Sequence, residues 1–367
     1  MLLPVFLILT GMAAIPGFFS HDELELLGNL KTIGLTRSLR QFLTGGSSGF
    51  FRPVSRGLEY VVLRLGHFYP YPAHLANTMV HVFNGVLLGI LLRNILRWNW
   101  TRIALTVMLF LCCPLAMFAG NWFMGLEDML YIGFALVCAI NFVMAAESEG
   151  KWRWIHGGIA VAANLLALCC KETAVIIIPV TVVWIVANGR WRERRVWLLF
   201  IFLCLPLLGY LGYRASTILL MGKHAGGGYR FDLNPFHLAQ KLYYYFIFPF
   251  YFRELDPAGW RFDSKFLMLM AFGAHLVLVI LLGSLTSWRN SFLYLVMYFA
   301  MFGPVLLISK MEGQYLYGPA VVYSTGLAAL FATLAERKWK LLLILPLGLL
   351  LWNLFFSFKI QYYMIRT

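Results

Sequence analysis

The sequence predicts an all-α protein, a polytopic bundle of about ten or eleven transmembrane helices. Of its 367 residues 61% are hydrophobic and only 13% are charged, whereas soluble domains contain about 25% charged residues. Apolar stretches of about twenty residues recur along the chain, and a helix of that length crosses a hydrocarbon core of about 30 Å. Aromatic residues make up 17% of the chain, which suits the Trp and Tyr belts of membrane interfaces.

The apolar stretches define one transmembrane domain that covers residues 1–367. The predicted spans are approximately residues 1–19, 74–92, 103–119, 128–146, 154–170, 173–188, 196–213, 266–285, 291–309, 317–334 and 340–357. Two connections are long, at about 20–73 and 214–265, and loops of that length usually have a function. Their stretches Leu58–Leu65 and Tyr243–Phe252 predict amphipathic helices that lie in the membrane interface.

The net charge of +14 follows the predicted topology. The basic residues lie in short loops between spans and not on one clustered face, which argues against nucleic acid as a partner. If the N-terminus is cytoplasmic, the inside loops hold most of the Lys and Arg residues, as the positive-inside rule requires. The acidic residues that then fall inside are Glu147, Glu149, Glu193 and Glu336. The remaining acidic residues are expected at the outer side, so we look for chemistry there.

The sequence contains no recognisable metal or cofactor motif. The six cysteines lie in or near predicted spans, without the spacing of zinc ligands or disulfide pairs. His74 and His81 lie two helical turns apart, too far for an ordinary zinc site. With Asn77 and Asn84 they share one helix face, which favours hydrogen bonds between helices. No glycine-rich phosphate loop or serine-histidine triad occurs, so we expect neither a metal nor another cofactor.

Carboxylates form the first group of candidate site residues. Asp22 and Glu23 directly follow the first span, and a carboxylate at the outer surface is a candidate general base. The alternative is that both residues only mark a helix start. Glu127 and Asp128 begin another helix at its outward-facing end, and for them the alternative that they only mark a helix start is stronger.

Basic residues form the second group. Lys171 and Glu172 lie between two spans with almost no loop, and ionisable groups at membrane depth are usually functional. Lys171 can pair with Glu172 or with a lipid phosphate, and the alternative is that both residues only extend from a helix end to the interface. Arg52, Arg56 and Lys310 join Lys171 on the outer side, and such groups match a diphosphate or phosphodiester. Nonspecific binding of anionic lipid headgroups is the competing interpretation.

These segments together, in this order, resemble the GT-C superfamily of membrane glycosyltransferases, which use polyprenyl-phosphate-linked sugars. The similar families are protein O-mannosyltransferases including the TMTC type, bacterial aminoarabinose transferases and O-antigen-modifying transferases. The segments that carry the resemblance are Asp22-Glu23, Phe51-Arg52-Pro53-Val54, the helix face of His74, Asn77, His81 and Asn84, Lys171-Glu172, and Glu312-x-x-Tyr315-Leu316-Tyr317-x-Pro319. One departure is Gly313-Gln314, where the TMTC-type pattern has an Arg before the tyrosine.

The resemblance implies sugar transfer, with inversion, from a polyprenyl-phosphate donor to an extracytoplasmic acceptor that is a glycan, a glycolipid or a protein. It implies that Asp22 is the general base, with Glu23 as the adjacent candidate. The residues implied to bind the lipid phosphate or the donor are Arg52, Arg56, Lys171, Lys310, Tyr315 and Tyr317, supported by Glu172, Glu127, Asp128, Glu312, His74 and His81. The resemblance also implies that membrane lipid surrounds the protein and is one of its partners. The implied location is a bacterial inner membrane with the site facing the periplasm.

Two other functions stay open from the sequence. A flippase or transporter of lipid-linked saccharides is expected to place ionisable groups near the middle of the membrane and to contain internal repeats. A membrane scaffold would use the same charges only for stability or assembly. The gathering of charges at helix ends favours the transferase over both.

Overall fold

The computed structural model describes residues 51–221, 232–251, 265–309, 311 and 313–336, together with isolated positions on either side. These residues are organised as α-helices joined by short turns and 3-10 segments. The α-helices are α1 (Pro53–Leu65), α2 (Pro70–Ile95), α3 (Trp100–Leu111), α4 (Pro114–Asn121), α5 (Leu126–Glu147), α6 (Gly150–Cys170), α7 (Ile177–Ala187), α8 (Arg194–Met221), α9 (Pro235–Ile247), α10 (Lys265–Leu285), α11 (Trp288–Ala300), α12 (Gly303–Leu306) and α13 (Tyr317–Glu336). The predicted all-α bundle is confirmed.

Six helical segments in the described part of the chain are long and apolar enough to cross a membrane. They are Pro70–Ile95, Phe123–Glu147, Gly150–Cys170, Arg194–Ser216, Lys265–Leu285 and Gly313–Glu336. Each corresponds to a span predicted from the sequence, and the predicted spans 1–19 and 340–357 lie outside the continuously described ranges. The chain is an integral multi-pass membrane protein.

The other three predicted spans are shorter or broken. Span 103–119 divides between α3 and α4, because Pro114 follows Cys113, whose backbone is extended (φ −73°, ψ 123°), as residues before proline prefer. Span 291–309 divides between α11 and α12 next to Pro304. Span 173–188 begins as the 3-10 segment Glu172–Ile176 before α7. Proline and the tighter 3-10 geometry therefore interrupt apolar runs that hydropathy alone reads as continuous.

The outward face of helix α1 is mainly apolar, whereas Leu63 shares the buried face with two polar residues. Ser55 and Glu59 are buried against the bundle, whereas Leu58, Val61 and Leu65 are exposed. A helix whose apolar face points away from the protein suits the boundary between lipid tails and headgroups. The amphipathic helix predicted at residues 58–65 is therefore present, and it begins at Pro53.

Helices α2, α5 and α6 pack side by side and form the centre of the bundle. Gly133 of α5 allows close contact with α2, since a Cβ atom there would lie 2.6 Å from Asn84 Oδ1. Asn84 Nδ2 donates to the carbonyl oxygen of Met129, 2.8 Å away. This hydrogen bond joins the two helices inside the apolar core, where few other polar groups are available.

One end of the bundle, the basic end, gathers arginines from the turns that join the helices there. Their bonds run from Arg102 to Glu336, from Arg190 to Glu193 and the carbonyl oxygen of Ala146, and from Arg289 to the carbonyl oxygen of Ala187. These groups belong to loops that the sequence predicts on one side of the membrane. The opposite end, the cluster end, contains the start of α1, α2 and α5 and the end of α6.

Candidate functional site at the cluster end

Arg52 stands directly before α1 and lies between two carboxylates from different parts of the chain. Its guanidinium donates to Glu127 in the first turn of α5 and to both carboxylate oxygens of Glu172, with 2.9 Å between Nε and Oε2 of Glu172. Arg52 and Glu127 are buried, whereas the Glu172 side chain is 29% exposed. Pro53 starts the helix without needing a hydrogen-bond acceptor for its nitrogen, which fixes Arg52 at this position.

A second arginine extends the same row of charges along α1. Arg56 Nη1 donates to Glu59 Oε2 at 2.8 Å, and the two residues share one helix face at i,i+3 spacing. Arg56 Nη2 lies 2.8 Å from Glu127 Oε1. Charges therefore alternate from the fully buried Glu59, through Arg56, Glu127 and Arg52, to the partly exposed Glu172.

Lys171 enters the site because α6 ends directly before it. Its backbone is extended (φ −158°, ψ 140°) between the end of α6 and the 3-10 segment Glu172–Ile176. Its Nζ lies 2.5 Å from Asp128 Oδ2 and 5.1 Å from the ring centroid of Tyr315, a distance suited to a cation–π contact. Lys171 thus binds Asp128 of α5, and not the neighbouring Glu172 that the sequence offered as a partner.

A backbone anchor holds α1 against this turn. Ser55 Oγ donates to the carbonyl oxygen of Cys170, the last residue of α6, at 2.9 Å. This carbonyl belongs to a helix end, where the main-chain acceptors have no partner within the helix. The bond fixes the spacing between Arg52 and the Lys171 turn.

We call these seven side chains the charged cluster: Arg52, Arg56, Glu59, Glu127, Asp128, Lys171 and Glu172. It contains three cations and four carboxylates, so full ionisation leaves one excess negative charge. Burial raises the pKa of Glu59 to about 8, although Arg56 acts to lower it. Burial also acts to lower the pKa of Arg56, but Glu127 and Glu59 outweigh it and the pKa is raised. The pKa of Glu59 therefore lies near neutral pH.

The arginines of the cluster present the hydrogen-bond donors of an anion-binding site, and carboxylates occupy those donors. Arginine guanidinium groups present paired N–H donors that match carboxylate and phosphate oxygens alike. Glu172 is the most exposed member of the cluster, so its position on Arg52 is the one that an incoming anion reaches first. Within the described ranges no three His, Cys, Asp or Glu side chains are placed to hold a metal ion.

Tyr317 belongs to a separate polar group inside the bundle. Its hydroxyl lies 2.9 Å from His81 Nδ1 and accepts a hydrogen bond from Asn84 Nδ2 at 3.0 Å. His81 Nε2 lies 3.3 Å from the carbonyl oxygen of Leu111, and Asn77 donates to the carbonyl oxygen of Trp122 at 2.8 Å. The hydrogen bonds between helices predicted for this face of α2 are confirmed for Asn77, His81 and Asn84.

The structure brings together most of the predicted site residues that it describes. Arg52, Arg56, Glu127, Asp128, Lys171 and Glu172 form the cluster with Tyr315 beside it, whereas Tyr317 and His81 lie in the interhelical group and His74 is buried in α2. The predicted residues Asp22, Glu23, Lys310 and Glu312 lie outside the described residues.

Glu59 is the cluster residue that sequence analysis missed. The Arg56-x-x-Glu59 spacing on a predicted amphipathic helix is the signal that identifies it. Without the fold, that pair reads as an exposed ion pair on the surface of an interfacial helix. The structure shows the reverse, since the Glu59 side chain is fully buried.

Sequence analysis also missed Lys241 of α9, which is a buried cation outside the charged cluster. Its Nζ lies 3.1 Å from Asp232 Oδ2 and donates to the carbonyl oxygen of Ile308 at 2.6 Å. The backbone N–H of Asp232 donates to the carbonyl oxygen of Leu307 at 2.8 Å. These bonds attach the start of α9 to the segment after α12, and they account for Lys241 as a structural residue.

Comparisons with known proteins identify the fold. No protein-family model matches the chain, and no curated protein sequence matches it either. Among solved structures, ArnT from Cupriavidus metallidurans bound to undecaprenyl phosphate matches with a TM-score of 0.60 and 14% identity over 93% of this chain. The apo state of the same ArnT matches with a TM-score of 0.60 and 15% identity over 93% of this chain.

This chain spans 61% of the length of ArnT in both comparisons. At this level of identity the likeness concerns the arrangement of helices and not the chemistry. It confirms the fold that the sequence motifs predicted. The chain has the helical fold of ArnT.

Proposed function

We propose that this protein is a glycosyltransferase that takes a sugar from a polyprenyl-phosphate donor and transfers it to an acceptor outside the cytoplasm. The observation that carries the proposal is the group of Arg52 and Lys171, which are buried, and Arg56, which is 22% exposed, at one end of a GT-C-fold bundle. The ArnT of the same fold binds undecaprenyl phosphate. In this proposal the cluster end faces the periplasm or a lumen, and the basic end faces the cytoplasm.

The arginines are the proposed ligands of the donor phosphate. A phosphate oxygen pair replaces Glu172 on Arg52, because Glu172 is the most exposed carboxylate of the cluster and a guanidinium binds either anion through the same paired donors. Lys171, next to Tyr315, supplies a further positive charge at the same end. As the bond between the sugar C1 and the phosphate oxygen breaks, these cations stabilise the negative charge that develops on the phosphate.

The acceptor side of the reaction needs a general base. We propose Asp22, with Glu23 as the neighbouring alternative, because both follow the first predicted span on the side of the cluster. The base takes the proton of the acceptor hydroxyl while the acceptor oxygen forms the new bond to C1, and the lipid phosphate leaves. Attack on the face opposite the phosphate inverts the configuration at C1.

A transfer assay tests this proposal. Purified protein in detergent is incubated with radiolabelled polyprenyl-phosphate-linked sugar and an extract of envelope glycans, and labelled acceptor is counted. We expect transfer by the wild type, its loss in Asp22→Asn, and no change in Glu147→Gln, which alters an exposed carboxylate at the basic end. Full transfer by Asp22→Asn would remove Asp22 from the mechanism.

The same assay separates the transferase from a flippase of lipid-linked saccharides. A flippase binds the donor and moves it across a vesicle membrane, but forms no labelled acceptor. Donor translocation without transfer in reconstituted vesicles would contradict the proposed transferase. The charges of the cluster lie at helix ends, where a transporter that binds at mid-membrane does not need them.

A further inference from the structure

The charged cluster is unbalanced, and its two ends differ in exposure. Three cations face four carboxylates, and the row of alternating charges leads from Glu59, which is fully buried, to Glu172, which is 29% exposed. The row continues through Arg56, Glu127 and Arg52 without a break. A change of charge at the open end therefore acts on Glu59 through side chains that are in direct contact.

Glu59 has fewer partners than the other carboxylates of the row. Its Oε2 accepts from Arg56, whereas no hydrogen-bond partner of Oε1 lies among the described residues. Glu127 by contrast contacts both arginines, and Glu172 accepts two hydrogen bonds from Arg52. Among the carboxylates of the row, a buried one with a single ionic partner has the lowest free-energy cost of protonation.

The groups around Glu59 come from four helices. Among the described residues, the titratable or charged groups at this end are Arg52 just before α1 and Arg56 in it, His74 from α2, Glu127 and Asp128 from α5, Cys170 from the end of α6, and Lys171 and Glu172 from the turn that follows. Burial raises the pKa of Glu59 to about 8 in this setting. Glu59 is consequently mostly protonated at pH 7 and largely ionised at pH 9.

We propose that Glu59 takes up a proton from solvent when a lipid phosphate binds to Arg52, so that donor binding and protonation of this buried carboxyl group are coupled. The inference rests on the proposed function, since it assumes that a phosphate is the anion that binds. The phosphate brings new negative charge next to Arg52 and leaves Glu172 without its partner. In a poorly solvated cluster that extra charge acts at the short distances between neighbouring side chains.

The coupling predicts how donor affinity varies with pH. Below about pH 7 Glu59 already carries its proton, and binding needs no further uptake. Above pH 8 each binding event must also bring in a proton, so affinity falls by up to about tenfold per pH unit. Glu59 is in this account a positioning residue: it contacts Arg56, and not the phosphate, and it sets the charge that the phosphate meets.

Isothermal titration calorimetry of the full-length protein in detergent tests the coupling. The probe is undecaprenyl phosphate, titrated at pH 6 and at pH 8 in two buffers of different ionisation enthalpy, which gives the number of protons taken up. For the wild type we expect uptake of about half a proton at pH 8, because Glu59 is then about half ionised. We expect affinity at pH 9 to be about five- to tenfold weaker than at pH 7.

Glu59→Gln keeps the size and polarity of the side chain but cannot ionise. We expect it to bind with affinity that changes less than about twofold between pH 7 and pH 9 and to lose the uptake at pH 8. Glu147→Gln is the matched control and retains both effects. Should Glu59→Gln fail to fold, the wild type alone decides, because the uptake at pH 8 must exceed that at pH 6.

Four results overturn the inference in distinguishable ways. Binding without proton uptake at pH 8, or uptake that persists in Glu59→Gln, contradicts the role of Glu59 and leaves the transferase proposal standing. Uptake at pH 6 as large as at pH 8 shows that a group other than Glu59 titrates. If undecaprenyl phosphate does not bind to the wild type at either pH, the proposed function fails and the coupling fails with it.

Discussion

Arg52 and Glu172, which are 120 residues apart in the chain, form a paired ionic contact at the end of the bundle. The pair joins the start of α1 to the turn that follows α6, and Glu127 of α5 binds the same guanidinium. One side chain thus connects three separate segments. It is also the side chain that we propose as the main ligand of the donor phosphate, so its structural and functional roles need separate measurements.

Arg52→Ala is expected to destabilise the protein. Its removal leaves Glu172 without its cation and Glu127 with Arg56 alone, and the loss of one partner of a buried ion pair typically costs about 3–5 kcal/mol. Arg102→Ala at the basic end is the control, because its partner Glu336 is 59% exposed and exposed pairs contribute at most about 1 kcal/mol. Thermal unfolding in detergent, followed by tryptophan fluorescence, measures both. Equal losses in the two variants would show that the Arg52 contacts add nothing beyond a surface pair.

Lys171 and Asp128 are expected to be energetically coupled. The atoms Nζ and Oδ2 lie 2.5 Å apart, and both side chains are at most 5% exposed, so either single substitution leaves a buried charge unpaired. We expect Lys171→Met and Asp128→Asn to be less than additive, with a coupling of about 0.5–3 kcal/mol. Chemical unfolding of the two single variants and the double variant gives this value. Strict additivity would mean that the ion pair does not form.

The stability of the protein is expected to depend on Glu59 between pH 5 and pH 9. Its pKa is raised from the model-compound value of 4.5 to about 8 in the folded protein, so the folded state favours the protonated form. The stabilisation is complete below pH 4.5 and is lost as the pH rises through 8. A shift of this size corresponds to at most about 5 kcal/mol. The melting temperature of the wild type should fall over this range.

Glu59→Gln should flatten that pH profile, since glutamine does not titrate. Glu193→Gln is the control, because hydrogen bonds with Arg190 lower the pKa of Glu193. A profile that is unchanged in Glu59→Gln would assign the pH dependence to another group.

Tyr317→Phe separates packing from donor binding. Tyr317 is buried, and its hydroxyl bonds with His81 and Asn84, so its loss should cost about 0.6–2 kcal/mol, as hydrogen bonds between membrane helices do. Affinity for undecaprenyl phosphate should stay within about twofold of the wild type. A tenfold loss of affinity with normal stability would instead restore the donor-binding role that the motif resemblance implies for this residue.

Most of the helices were predictable because a lipid bilayer restricts the conformations that a chain can adopt inside it. Backbone polar groups in lipid must bond within a helix, so long apolar runs such as 128–146 and 266–285 can only be helices. The breaks at Cys113–Pro114 and near Pro304 were not predicted. A hydropathy profile is averaged over about nineteen residues, so a single proline does not interrupt it.

Part of the charged cluster was predictable from sidedness. Glu127 and Lys171 lie at the ends of predicted spans, and Arg52 lies in the long connection 20–73 on the same predicted side of the membrane. Which cation pairs with which carboxylate depends on side-chain packing, and sequence proximity favoured the neighbour Glu172 for Lys171. Glu59 was missed because only the fold shows that the polar face of α1 turns towards the bundle.

Binding of undecaprenyl phosphate by the full-length protein tests the central claim most directly. Native mass spectrometry compares undecaprenyl phosphate with undecaprenol, which has the same chain but no phosphate, for the wild type, Arg52→Lys and Arg102→Ala. The account predicts that the wild type and Arg102→Ala retain the phosphate lipid and not the alcohol, and that Arg52→Lys, which keeps the charge but loses the paired donors, binds it at least about tenfold more weakly. Equal binding of the two lipids by the wild type, or full binding by Arg52→Lys, would contradict a phosphate site at Arg52.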